Sequence, residues 1–428
     1  MTLLPPGHLH TDGARIVDVD GRTVRLAGVN WYGFECEPMV AGGLDRKTVD
    51  EVCRTIAGLG FNHIRLPYCD EMLVAGARTT AGLAANPGLQ GSTAVEVMDE
   101  VIAAATRQGL RVVLDNHRSD AGWSAQENGL WYSQRCPEAR WLFGLRFMAE
   151  RYKGNDTVIG IDLRNEPGSP AADPRRFPRN GGAVWGQPDR WRTRRPRDWA
   201  AAAERGGNEV LAVNPNLLVF VEGVRGDPAG PMFAGRRHLY WPGGNLCGVR
   251  TQGGRRPAPR PITLRCPRQL VYSIHDYGPD MHRAMPWCRR GSTAETATAC
   301  RSVWEQTWGF IVRAGIAPVY VGEFGTPNGS KPGDHTAPQL FTDDNPSTTQ
   351  GRWFSYLVDY MNELEVSWAY WAINGDQPAS VGRRQGQTDW YGVLRPDWSA
   401  PASAPLVAKL AHLQTPQPAA VREVGDPA

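Results

Sequence analysis

No stretch of the chain approaches the ~20 consecutive apolar residues needed to cross a bilayer, so no membrane-spanning helix is expected. Net charge is only +3 over 428 residues, too little to make nucleic acid or an anionic membrane surface the main partner. None of the eight cysteines (Cys36, Cys53, Cys69, Cys136, Cys247, Cys266, Cys288 and Cys300) belongs to a C-x-x-C pair, which argues against a zinc site or a dithiol redox motif. The opening residues, MTLLPPGHLHTDGARIVDVDGR, contain no positively charged leader followed by an apolar core, so no signal peptide is read there. A phosphate-binding glycine turn is also missing after the first strand-like run, where the chain reads GVNWYGFE. That weighs against a nucleotide-binding open sheet.

What is present fits a soluble globular protein with a large core: 41% hydrophobic residues against 21% charged. Glycine and proline, 48 and 34 residues, make the chain loop-rich without low complexity. Sixteen tryptophans are more informative. Flat aromatic faces stack on flat apolar partners, and a sugar ring offers such a face.

Along the chain, one alternation repeats. A short hairpin is expected first, from ARIVDV through the turn Asp20-Gly21 into RTVRLAGVN. Eight apolar, β-branched runs follow, at 24–30, 61–67, 110–117, 158–166, 217–223, 270–277, 317–325 and 366–374. Between them lie segments such as STAVEVMDEVIAAATRQG and CPEARWLFGLRFMAERYKG, where apolar residues recur at three and four and glycine follows the last turn. This pattern predicts a single α/β domain, a (β/α)8 TIM barrel, spanning 14–414. Residues 1–13, including the HLH at 8–10, and the Pro-containing tail 415–428 are expected to be disordered. Long βα loops are expected after strands four, five and eight; the Arg clusters in the first two read as solvated surface.

In a parallel barrel the C-terminal ends of all strands meet at one face, which carries the active site in barrel enzymes. Polar residues recur at those ends: Arg65, His117, Asn165 and Glu166, Glu222, His275 and Tyr277, Glu323, then Trp371 and Asn374. One or two could be strand caps; a set from seven strands points to a shared site. Two carboxyl groups, one protonated and one ionised, can cleave a glycosidic bond, and ~5–5.5 Å between them implies retention through a covalent intermediate. Glu166 and Glu323, from strands facing across the mouth, are the candidate pair. Arg65 beside one of them would keep it ionised as nucleophile, and the less solvated one would stay protonated as acid. Glu222 is the third candidate and reads as structural. His117 and His275 are also metal-ligand types, but no H-E-x-x-H spacing accompanies them, so no metal and no cofactor is expected.

At these residues the sequence resembles glycoside hydrolase family 5 of clan A, and within it the bacterial endo-β-1,4-glucanases. RLAGVNWYGFE, GFNHIRLPY, LDNHR, DLRNEP, NPNLLVFVEGV, WPGGNLCGV, LVYSIHDYGPD and PVYVGEFGT occur in the family's order. The resemblance implies that Glu166 is the acid/base and Glu323 the nucleophile. It implies that Asn165 holds the sugar 2-hydroxyl, and that Arg65 and Tyr277 hydrogen-bond the nucleophile. His117 and His275 would contact the sugar or the acid/base, and Trp371 would form a stacking floor. The chain departs from the pattern at Gly168, where many relatives have His, in the Arg-rich stretch 250–261, and in the long segment after strand eight.

The function expected is a retaining endoglucanase acting on β-linked oligo- or polysaccharide, as a monomer. The same mechanism on β-mannan, a β-glucoside or a glycolipid remains open, as does a non-catalytic carbohydrate-binding barrel, against which both glutamates stand. A polymeric substrate and the even cysteine count favour secretion; the missing leader favours the cytoplasm.

Overall fold

The computed structural model describes residues 4, 6–168, 182–186, 196–225, 232–233, 236–237, 240–250, 259–278, 280–281, 293–329, 349–380 and 383–414. Eight parallel strands close into a barrel: β1 (Ala27–Asn30), β2 (His63–Cys69), β3 (Arg111–Arg118), β4 (Val158–Asp162), β5 (Leu218–Glu222), β6 (Leu270–Tyr277), β7 (Val319–Gly325) and β8 (Ser367–Tyr370). They neighbour one another in sequence order, and β8 pairs with β1 to complete the ring.

Seven helices cover the outside among the described residues: α1 (Val49–Gly58), α2 (Ala94–Arg107), α3 (Glu138–Arg151), α4 (Trp199–Val213), α5 (Thr293–Trp304), α6 (Thr349–Glu363) and α7 (Ala404–Gln414). The residues that start α1 and α2 do so for a local reason. Thr48 and Thr93 each cap the backbone N–H three residues on, while Glu51 and Glu96 reach back to the cap N–H. Gly60 and Gly109, at φ +87° and +70°, then turn the chain out of those helices. The helix after β6 is not uniform: α5 runs on through a π turn at Glu305–Gly309 into a short α turn, Phe310–Arg313. The alternation is also incomplete, since no α-helix lies between β5 and β6 among the described residues. That connection is built from irregular chain and two 3₁₀ turns, Cys247–Val249 and Pro267–Gln269.

Side-chain parity sorts the strands into two cores. Ile64, Leu66, Leu114 and Trp368 point outward and join the layer between strands and helices. Val113, Phe220, Val271, Tyr320 and Ala369 point inward and fill the barrel's lower half, together with Leu9, Ile16, Val24 and Leu26 from the N-terminal segment. Gly28 of β1 makes room inside, because a Cβ there would stand 2.2 Å from the His63 ring. His63 in turn meets the Tyr320 hydroxyl at 2.9 Å, and burial holds its imidazole down at about 3, so it is neutral.

One N-terminal expectation is corrected. The segment ending at residue 13 is ordered from at least His10, where His10–Asp12 pairs antiparallel with Arg15–Val17 around Gly13. It is ordered because Leu9 and Ile16 close the barrel floor. The turn expected at Asp20-Gly21 exists as well, but as a single bridge between Val17 and Thr23, held by the Asp18 carboxylate accepting from Asp20 N and Arg22 N. The tail 415–428 and most of the Arg-rich stretch 168–197 lie outside the described residues. The long segment after β8 forms a small ribbon, Asp376–Gln377 against Gln387–Thr388.

Cys247 and Cys266, which flank the Arg-rich stretch 250–261, are not joined, for Cys266 is a free thiol and the Cys247 Sγ lies 3.0 Å from the Gln306 carbonyl instead. Cys288 lies outside the described residues. No helix among the described residues is long and apolar enough to cross a membrane.

Candidate active site

Most barrel strands deliver their polar group to the mouth by the same route; β7 departs from it, since Tyr320 faces inward and Glu323 has the opposite parity. The inward parity that fills the floor with apolar side chains continues upward, and toward the C-terminal ends those inward positions become charged. Arg65 of β2 lies level with Asn30 of β1. A register shift between Ile274 and His275 brings His275 of β6 level with Glu323 of β7.

Arg65 is wholly buried and organises the layer beneath the mouth. Its Nη1 donates to Glu323 Oε1 at 2.8 Å and to Asn30 Oδ1 at 3.0 Å. Around its Nη2 converge Asp162 Oδ2 and Asn165 Oδ1 at 3.1 Å, Glu222 Oε1 at 3.2 Å and Asp115 Oδ1 at 3.1 Å. Two N–H bonds cannot serve four oxygens. Burial, then the neighbouring Glu222, push the Asp162 carboxyl well above the usual carboxylate range against the pull of Arg65. Asp115 goes the other way. Burial raises it, but Arg65 and His117 outweigh that and hold it below the usual range.

Above this layer sit the two glutamates. Glu323 is buried, with Oε1 on Arg65 and Oε2 accepting the Tyr277 hydroxyl at 3.0 Å. Burial pushes its carboxyl upward, with His275 and Arg65 opposing. Glu166 is the more open of the two and takes a backbone φ of +51°, a left-handed conformation rare for a side chain without local compensation. Its N–H donates to Glu222 Oε2 at 2.8 Å. On its carboxylate, Oε1 meets His275 Nδ1 at 3.0 Å and accepts the Trp241 indole N–H at 2.6 Å. One oxygen of Glu166, one nitrogen of His275 and one oxygen of Glu323 all lie within 4.8 Å of one another.

The two histidines each face buried carboxylates. His117 Nδ1 lies 2.6 Å from Asp115 Oδ2; burial alone would lower its imidazole, and Asp115 raises it above the ordinary value. His275 is raised further, since burial is overcome by Glu222 and Glu323; its Nε2 is 3.1 Å from Glu222 Oε1. Trp371 is half-buried at the end of β8 and stacks offset on Tyr32 (centroids 5.0 Å, 11°) and His117 (5.8 Å, 23°).

All eight residues expected from the sequence therefore meet at one mouth: Arg65, His117, Asn165, Glu166, His275, Tyr277, Glu323 and Trp371. Asn374 does not join them; it clamps the backbone of Tyr32 through both ends of its amide. Glu222 lies in the layer beneath the mouth, facing Arg65 and His275. Sequence reasoning passes over Trp241, Asp115, Asp162 and Tyr32. A metal held by His117 together with His275 is not what the geometry offers, because the close group is Glu166, His275 and Glu323. There the Arg65 guanidinium already faces Glu323, and a cation beside a cation is repelled.

A closed parallel barrel with paired glutamates at its C-terminal mouth is the framework of a glycoside hydrolase. The family model described as cellulase (glycosyl hydrolase family 5) matches residues 17–377, and the chain belongs to that family. Among curated proteins it is 34% identical over 394 residues to an endoglucanase of Paenibacillus polymyxa, covering 92% of this chain and 84% of that one. It is 32% identical over 388 residues to the major extracellular endoglucanase of Xanthomonas campestris pv. campestris, covering 90% and 67%. Among solved structures, an endocellulase from Pyrococcus horikoshii in complex with cellotetraose aligns with a TM-score of 0.77 at 29% identity, covering 95% of this chain and 98% of that one.

Proposed function

We propose that this glycoside hydrolase cleaves internal β-1,4-glucosidic bonds of cellulose or a related β-glucan with retention, using Glu323 as nucleophile and Glu166 as acid/base. The observation that carries the mechanism is the close approach of the Glu166 and Glu323 carboxylates, within 4.8 Å at their nearest ligand atoms. Inverting enzymes hold the two groups ~6.5–9.5 Å apart to admit a water; retaining ones hold them ~5–5.5 Å apart. The endoglucanase names of the Paenibacillus and Xanthomonas relatives support the substrate.

The contacts of each carboxylate support these roles, although solvation runs opposite to the expectation from the sequence: Glu323 is buried and Glu166 is the more open of the two. Glu323, held by Arg65 and Tyr277, attacks the anomeric carbon as Glu166 gives its proton to the glycosidic oxygen. The C–O bond breaks with its electron pair going to that oxygen, and a glycosyl ester forms on Glu323. Water then opens the ester while Glu166 takes the water's proton. Asn165, its Oδ1 engaged by Arg65, turns its amide nitrogen toward the sugar hydroxyl. Action outside the cell fits a polymeric substrate, and the Xanthomonas relative is named extracellular.

The test is a time course on a neutral soluble β-glucan. Viscosity should fall well before reducing ends accumulate, and proton NMR should show the β-anomer released first. Reducing ends without loss of viscosity would contradict endo action, and an initial α-anomer would contradict retention. Preferential turnover of mannan or of a glycolipid would move the substrate and leave the mechanism in place.

A further inference from the structure

Trp241 lies in the helix-free connection between β5 and β6, and it touches both halves of the catalytic pair. Its indole Nε1 donates to Glu166 Oε1 at 2.6 Å. Its ring packs on Tyr277, with centroids 4.7 Å apart at 50°, and Tyr277 donates to Glu323 Oε2 at 3.0 Å. An indole N–H can only donate, so Glu166 Oε1 is committed as an acceptor whatever the protonation state of the carboxyl. His275 Nδ1 stands 3.0 Å from the same oxygen.

We propose that Trp241 is a positioning residue for the acid/base: it fixes Glu166 by Oε1 and leaves Oε2 as the oxygen that gives and takes the catalytic proton. The inference rests on Glu166 being the acid/base. A protonated carboxyl has one carbonyl-type oxygen, which accepts well, and one hydroxyl oxygen, which donates. The indole N–H on Oε1 makes it the carbonyl oxygen. In the first step the proton leaves Oε2 for the glycosidic oxygen as that C–O bond breaks toward the oxygen. In the second it returns to Oε2 from the water that opens the glycosyl ester.

Other groups face Glu166, and the test must see past them. Among the described residues they are His275 and Tyr277 from β6 and Glu323 from β7. From β5 and the residues just beyond it come Glu222, which accepts the Glu166 N–H, and Arg225. Each of these titrates or carries charge within reach of the carboxyl. Trp241 is the neutral, donor-only contact, so its replacement removes a hydrogen bond without adding or deleting charge.

Trp241→Phe keeps a ring over Tyr277 and deletes the N–H. A hydrogen bond to a carboxylate favours its charged form, so its loss should shift the basic limb of kcat/KM on a neutral cello-oligosaccharide upward by about one pH unit. Trp241→Ala, which deletes ring and N–H together, should shift the limb as far. An unmoved limb in Trp241→Phe, or one that moves downward, overturns the proposal. So does a shift in Trp241→Ala alone, which would assign the effect to packing. Azide rescue of Glu166→Ala on an aryl β-cellobioside separates the two levels: rescue with an unmoved limb refutes only the role of Trp241, whereas no rescue refutes the acid/base assignment beneath it.

Discussion

The carboxylate of Glu222 accepts the backbone N–H of Glu166 at 2.8 Å, and Glu166 holds φ at +51°. Left-handed backbone at a residue with a Cβ costs on the order of 1–3 kcal/mol and persists where surrounding contacts over-determine it. Glu222 supplies such a contact while its other oxygen faces Arg65 and His275. Glu222→Gln should therefore lower kcat by about tenfold or more, through the backbone of Glu166, the scale of a weakened charge-assisted hydrogen bond. Azide should not restore it, because no acid is missing. Rescue by azide would mean that Glu222 performs the proton transfer itself.

The glutamate pair separates by chemistry. Glu323→Gln keeps the shape and loses the charge, so turnover should vanish with the fold intact; activity within about tenfold of the wild type would contradict the nucleophile assignment. Glu166→Ala should spare glycosylation of substrates whose leaving groups need little protonation, and azide should accelerate the second step. Equal losses on activated and natural substrates would remove Glu166 from the acid role.

Chelation should leave the rate unchanged. Two carboxylates assisted by Arg65, His117 and His275 already provide acid, base and charge stabilisation, and the guanidinium 2.8 Å from Glu323 disfavours a second cation there. Activity lost to EDTA and restored by Zn²⁺ or Mn²⁺ would show that Glu166, His275 and Glu323 hold an ion.

Stability should fall as pH rises from about 5 to 8. Burial raises the carboxyls of Glu35, Asp70, Asp162 and Asp389 above their ordinary range, and Asp276 to about 7. A folded state with raised carboxyls binds more protons than the unfolded chain between the two sets of values, so unfolding becomes easier with rising pH. His117 and His275, also raised, act in the same direction above the unfolded histidine range. Among groups held low, His63 at about 3 acts against this trend up to the unfolded histidine range, whereas Asp115 and the surface Glu363 at about 2 lose their contribution only under stronger acid. Melting temperatures across this range should decline, and Asp276→Asn should show a shallower slope; a rising profile would contradict the reading.

The barrel and most of its mouth are legible in the sequence because both rest on strand parity. A period of two, carried over eight runs, fixes which side chains face inward, and parallel strands place their last inward residues together. Glu323 is the exception: Tyr320 faces inward, so strict alternation would turn it out, and the register shift between β6 and β7 brings it to Arg65, 258 positions away. Trp241 is not legible in this way. It comes from a connection without periodicity, and only the three-dimensional path from β5 to β6 brings its N–H to Glu166. Asp115 and Asp162 hide for the opposite reason, since they sit inside apolar strands as ordinary members of the run and gain meaning only from Arg65. The expected turn at Asp20-Gly21 is joined by a second reversal at Gly13, which no alternation marks and which brings Leu9 to the barrel floor.

Parity also decides between two tryptophans of the last strand. Trp368 faces outward, against Phe61 and Phe324 in the helix layer, while Ala369 faces the barrel interior. Trp371 shares the parity of Ala369 and lies nearer the C-terminal end, so it belongs to the mouth. There it forms a small cluster with Tyr32, Cys36 and Ala372, apart from the two main cores. Its half-buried ring is the apolar surface on which the reacting sugar would stack. Trp371→Ala should then cut kcat/KM by about 1–3 kcal/mol, or roughly five- to 150-fold, with little change in melting temperature. If its work were instead to pack Tyr32 and His117, the balance would reverse, with melting temperature falling first and the kinetics of the folded fraction unchanged. Measuring both on the same preparation separates a sugar platform from a packing residue.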